Sequence, residues 1–244
     1  MKQSHRAGSW ITAASVIAVM VGLVTTGCST MESSEQSEQS EDDQRPLKDP
    51  IYSVGCSTTL QPEHRVELDL IDSLMEGGEY YAALAQLESL SFETQHHWLR
   101  WAQLLAQVDQ VKDSEEAFET IADKCESHEA YHGLGVVYVK QDKIQDALDA
   151  LKTAKDMSPA VPDIRNDYGY ALMIAGEYGR AAFELRTAYE LAEGKGAVKQ
   201  NMVAAYYLNG GDAALNKLKG TLGLSERDLK TGKQVAENMR KEHP

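Results

Sequence analysis

Three small residues, Gly135, Ala147 and Ala154, return about 34 residues later as Gly169, Ala181 and Ala188. No other feature constrains the fold as much, because a unit this short cannot enclose a core alone. Its apolar faces are buried only when neighbouring units stack. Around the small residues, Tyr131, Leu134, Tyr138 and Leu151 fall at helical spacing, and Pro159 follows. Gly135 lacks a Cβ, so a first helix can press closely on its partner. Ala147 and Ala154 keep a second helix thin, and Pro159 stops it. The second copy is completed by Leu172, Gly176 and Leu185. The pattern predicts an all-α solenoid of helical hairpins.

Further copies are weaker. Met202, Tyr206 and Gly210 continue the series, with the small residue displaced to Ala213 or Ala214. Upstream, Trp101, Leu104, Val108, Ala117 and Ile121 read as one copy, with a shortened turn before the Tyr131 unit. Leu70, Leu74, Gly78, Ala83 and Leu87 read as the first. Five hairpins are therefore expected within residues 62–220. Ser225 and Asp228 then look like the start of a final helix, which caps the stack over residues 221–244 with a polar outer face.

The Tyr131–Pro159 unit resembles the tetratricopeptide repeat (TPR), with Tyr131 in place of the signature Trp and Leu151 in place of Phe. The resemblance implies a concave wall lined by first helices and built to hold a protein partner. By TPR register the third unit presents Glu129, His132, Val136, Val139 and Lys140 to that wall. The fourth presents Asp163, Asn166, Tyr170, Met173 and Ile174; the fifth presents Ala197, Gln200, Ala204, Tyr207 and Leu208. Asn166 matches a frequent groove asparagine that clamps peptide backbone. Tyr170, Met173, Ile174, Tyr207 and Leu208 make the wall apolar, which suits a helix-in-groove partner. The alternative is that they pack against the C-terminal helix through Leu229, Val235 and Met239.

The N-terminus reads as an address. Lys2, His5 and Arg6 precede an apolar run from Trp10 to Val24, too short for a comfortable membrane span. The run ends at Val24-Thr25-Thr26-Gly27-Cys28, which resembles a bacterial lipobox although Thr25 stands where Leu is preferred. Residues 1–27 are then a signal peptide and Cys28 the lipidated first residue. Ser29 favours the outer membrane, and the acyl chains anchor the chain there. Residues 28–61 open with a Ser/Glu/Gln-rich stretch that cannot offset its ordering entropy, so a flexible acidic tether is expected. A disulfide between the remaining cysteines, Cys56 and Cys125, and two separate thiols are equally compatible with the spacing.

The formal net charge of −14 makes nucleic acid a poor partner. His128-Glu129-Ala130-Tyr131-His132 is an HExxH string of the kind that binds zinc in peptidases. The position where a third ligand would stand is Tyr138, and the TPR register already accounts for Tyr131, Gly135 and Tyr138. No phosphate loop or hydrolase triad accompanies it, so neither catalysis, metal nor cofactor is expected.

The run from Arg165-Asn-Asp-Tyr-Gly-Tyr-Ala-Leu to Gly176, followed by Ala181, Glu184-Leu-Arg, Ala188 and Glu190-Leu191, is similar to TadD, the TPR lipoprotein family of the Tad (Flp) tight-adherence pilus system. That resemblance implies a periplasmic, pilotin-like assembly factor for an outer-membrane secretin or another pilus component. Other roles considered are a type IV pilus pilotin, an envelope adaptor for cell-wall enzymes and, more remotely, the zinc peptidase.

Overall fold

The computed structural model describes residues 53–243, so Cys28, the leader and most of the tether lie outside the described residues. Among the described residues all regular structure is helical. The elements are α1 (Pro62–Glu76), α2 (Tyr80–Glu88), α3 (Gln95–Gln107), α4 (Val111–Cys125), α5 (His128–Lys140), α6 (Ile144–Met157), α7 (Pro162–Ile174), α8 (Tyr178–Leu191), α9 (Val198–Leu222) and α10 (Glu226–Glu242). None of the described helices is long and apolar enough to cross a membrane.

Helices α1–α8 form four hairpins, each stacked on the next. Helix α9 is the fifth hairpin, folded about Gly210 and Gly211; Gly211 has φ 60°, ψ −152°, a conformation that only glycine adopts easily. The described residues thus form a TPR-type α-solenoid of five hairpins closed by α10. Helix starts are marked by local chemistry. Pro62 and Pro162 open α1 and α7, where a missing N–H costs nothing. Ser127 caps α5, Thr94 and His97 form a capping box on α3, and Ser225 with Asp228 forms another on α10.

The turn inside each hairpin fixes the register of the repeat. Gly78, Asp109, Asp142 and Gly176 all have positive φ. In each case the N–H of the following residue donates to a carbonyl five residues back: Glu79 to Leu74, Gln110 to Leu105, Lys143 to Tyr138 and Glu177 to Leu172. This is the helix-ending pattern in which a left-handed residue satisfies the last carbonyls. Aligned on these turns, Ala102 and Ser114 are the equivalents of Gly135 and Ala147. Ser114 is buried, and its hydroxyl donates to the Ala102 carbonyl at 2.7 Å. The second unit therefore sits one helical turn earlier than the Trp101–Ala117 reading, and the turns recur at about 31, 33 and 34 residues rather than with one shortened by four.

Two other expectations are corrected. Leu70 is not core but 49% exposed; Ile71 takes the buried place. In the fifth unit Ala213 is exposed and Ala214 half-buried, and Leu215 is the buried residue. The close approaches do occur in units three and four. A Cβ on Gly135 would lie 2.4 Å from Leu151 Cγ, and one on Gly169 2.5 Å from Leu185 Cγ.

Cys56 and Cys125 are joined, with Cα atoms 5.2 Å apart across a separation of 69 residues. The bond pins the segment before α1 to the end of α4. The Gln95 N–H donates to the Ser57 carbonyl in the same region.

Candidate functional site: the inner wall

Helices α1, α3, α5, α7 and the first half of α9 form the inner layer. A polar line runs along it. Arg100 on α3 donates to both carboxylate oxygens of Asp72 on α1, at 2.5 and 3.0 Å. His132 Nε2 on α5 lies 2.8 Å from Asp167 Oδ2 on α7. Asn166 Nδ2 donates to Asp167 Oδ1 at 3.0 Å, and Asn201 Nδ2 on α9 donates to Asn166 Oδ1 at 2.9 Å. Arg100, Asp167 and Asn201 hold equivalent places in units two, four and five, and each reaches back to the preceding inner helix. In unit three that place is Gly133, whose Cα faces the Phe118 ring so closely that a Cβ would meet it at 2.3 Å.

Asn166 and Asp167 are fully buried and Asn201 nearly so. Buried polar groups carry a high cost unless satisfied, and here they satisfy one another across three units. Asn166 is accordingly committed inside the protein and not free to clamp a peptide, which corrects its expected role. Asp167 and Asn201 were not singled out in the sequence. An Asn-Asp pair followed about 34 residues on by Gln-Asn was the available signal.

Of the other expected wall residues, Val136, Met173 and Leu208 are buried, whereas Gln200 is exposed and His132, Tyr170, Ile174 and Tyr207 are half-buried. The C-terminal helix accounts for part of this. Gly232 of α10 packs against α9 so tightly that a Cβ would stand 2.4 Å from Val203 Cβ and 3.0 Å from the Gln200 carbonyl oxygen. Lys233 and Arg240 lie over the Tyr207 ring, at 5.3 and 5.6 Å from its centroid. Leu229 and Met239 are buried and Val235 partly buried in the same apolar cluster as Met173 and Leu208. Helix α10 thus covers the fifth unit's wall around Tyr207. The wall that stays accessible runs from His132 and Asp163 to Tyr170, Ile174 and Gln200.

Asp163 gives that stretch its electrostatic character. Burial, and then the neighbouring Asp167 carboxylate, push its pKa up to about 6, with His132 opposing. Burial also raises the Tyr170 hydroxyl, helped by Glu242 at the end of α10 and by Asp167.

The HExxH string does not assemble a metal site. His128 Nδ1 pairs with Glu129 at 3.1 Å, Glu129 also accepts from Ser127 Oγ, and His132 turns to Asp167. Among the described residues no group of three or more potential ligands converges.

No family model matches the chain. It is 28% identical over 181 residues to the TPR repeat-containing protein PA4299 of Pseudomonas aeruginosa, a match that covers 74% of each protein. Among solved structures it is similar to a thermophilic TPR protein of Thermus thermophilus, with a TM-score of 0.57 at 21% identity over 71% of this chain and 97% of that one. It is also similar to YrrB, a TPR protein with an unusual peptide-binding site, with a TM-score of 0.50 at 18% identity over 70% of this chain and 90% of that one. At such identities the two structures speak for the fold.

Proposed function

We propose that this TPR-type solenoid is an interaction scaffold that holds a protein segment against the wall between His132 and Gln200, and that it does so at the outer membrane as a lipoprotein serving assembly of a Tad-type pilus. The observation that carries the binding reading is the accessible wall itself. Half-buried Tyr170 and Ile174 follow Asp163 along α7, two and three turns on; the Asp163 pKa is pushed up to about 6, and the His132–Asp167–Asn166–Asn201 line locks α7 to the inner helices on either side. A locked wall presents its anchor residues without an ordering cost at binding. The peptide-binding site in YrrB's own description is in keeping with such a use of the fold.

The finer reading rests on sequence. The Arg165–Leu191 run is similar to TadD, and Gly27-Cys28 resembles a lipidation site. The Cys56–Cys125 bond supports an exported chain, because disulfides persist in oxidising compartments. The partner is then a secretin or another component of the pilus machinery.

The test is crosslinking in outer membranes, followed by recovery of the chain and identification of what comes with it. The control carries Tyr170→Ala and Ile174→Ala, both half-buried, so that folding is spared. A secretin captured by the parent and lost from the control supports both parts. Capture of cell-wall enzymes without a secretin replaces the pilus role with that of an envelope adaptor. Recovery from a fraction other than the outer membrane removes the anchor.

A further inference from the structure

The stack has two unlike ends. At the C-terminal end α10 turns Leu229, Gly232, Ala236 and Met239 inward and leaves a charged outer face. At the other end α1 is the first helix among the described residues, and the repeat register shows what a preceding hairpin covers in the other units. The residues equivalent to Val66 are His97, Ala130, Ile164 and Val198, and all are buried. Those equivalent to Leu70 are Trp101, Leu134, Tyr168 and Met202, and all are buried as well. Each of these later units differs from the first in having a hairpin in front of it. Val66 is 70% exposed and Leu70 49% exposed. Apolar residues one helical turn apart, at a stacking face, are here left open to solvent.

The place between them is held by Asp69, the equivalent of Arg100, Gly133, Asp167 and Asn201. In three of those four units the side chain pairs with a polar group on the preceding inner helix. Asp69 is exposed and stands at the same place in the repeat register. Helix α1 also carries Glu63, Glu67, Asp72 and Glu76 against Arg65 as its one arginine or lysine.

These charges decide between occupants. A second copy docked face to face would set Asp69 and Glu63 against their own counterparts, and like-charge juxtaposition works against such a pairing. The chain's own upstream segment, residues 29–52, carries seven acids against Arg45 and Lys48, and Pro46 and Pro50 interrupt any helix around its two cations, so it is repelled on balance and is a poor helical ligand. A cationic helix meets no such repulsion. We propose that the open end of the stack is a second docking surface, distinct from the inner wall, and that it takes an amphipathic helix of another protein. That helix would set two apolar residues one turn apart on Val66 and Leu70 and a lysine or arginine on Asp69.

The test uses the full chain and two labelled helical peptides of about 18 residues, long enough to hold helix against the face. Both carry leucine at i, i+4 and i+7, with lysine on the flanks in one and glutamate in the other. One leucine is replaced by a photoreactive residue so that adducts can be mapped. The expected result is saturable binding of the lysine peptide, with adducts on α1 between residues 63 and 73. Affinity should fall at least tenfold in Val66→Ser/Leu70→Ser and also in Asp69→Asn, and should hold in Tyr170→Ala. The Val66, Leu70 and Asp69 side chains are exposed, so these variants keep the parent's circular dichroism. Equal binding of the glutamate peptide, adducts on the inner wall, or no binding overturns the proposal. A concentration-dependent dimer that Val66→Ser/Leu70→Ser abolishes overturns it in favour of a second copy.

Discussion

Breaking the Cys56–Cys125 bond should loosen one end of the molecule and leave the other as it was. The bond closes a loop across 69 residues of sequence. In the chain-entropy picture a loop of that size contributes about 4 kcal/mol, between the values for loops of about 15 and 100 residues. In a solenoid each unit touches only its neighbours, so the contribution stays where the loop is. The loop takes in α1–α4 and excludes α6–α10. Hydrogen exchange on the parent and on Cys56→Ser/Cys125→Ser measures this residue by residue. Amides of α1–α4 should exchange up to about a thousandfold faster, which is what about 4 kcal/mol amounts to at tenfold per 1.4 kcal/mol. Those of α7–α9 should be unchanged. An equal acceleration along the whole stack would refute the nearest-neighbour reasoning, and no acceleration anywhere would refute the contribution of the bond.

Three further outcomes follow from side-chain geometry. Gly232→Ala drives a Cβ into Val203 and the Gln200 carbonyl, neither of which can swing aside; α10 should detach, seen as new protease cleavage after Lys230 or Lys233 and a lower melting temperature. Ser114→Ala removes a hydroxyl from a site that holds alanine in units three and four; the loss should stay within about 1.5 kcal/mol in urea unfolding, whereas Ser114→Leu should cost more through overpacking. Asp163 has a folded-state pKa raised from 3.8 to about 6, so the folded chain holds this proton more tightly than the unfolded chain does. Its unfavourable effect on stability therefore grows as pH rises from about 4 to about 6 and is complete above that window. Asp163→Asn should raise the urea midpoint at about pH 7.5 and leave it nearly unchanged at about pH 4.

The architecture was legible wherever the small residues were intact. Gly135, Ala147 and Ala154 with their copies specify helix-on-helix contact, and no other common arrangement calls for that spacing. The second unit was misread for a physical reason. Ala102 and Ser114 stand where units three and four have Gly and Ala, and Trp98 and Trp101, one helical turn apart, each offer a register. The left-handed turn residues Asp109 and Asp142 settle it, but an aspartate in sequence does not announce a positive φ. Leu70 was misplaced because helical periodicity is the same at an end face as inside a stack. Asn166 was placed on the correct helix with the wrong role, since one helix's pattern cannot show that its side chain meets Asn201 on the next.

Polar links join the inner helices at every step: Arg100 to Asp72, Lys140 to the Ala106 carbonyl, His132 to Asp167, and Asn201 to Asn166. Hydrogen-bonded pairs fix distance and angle. Curvature of the arc is therefore set along its whole length, much as a riveted arch keeps its span. A segment gripped by units three to five meets a wall that does not close on it, and the α1 end keeps its place while that wall is filled.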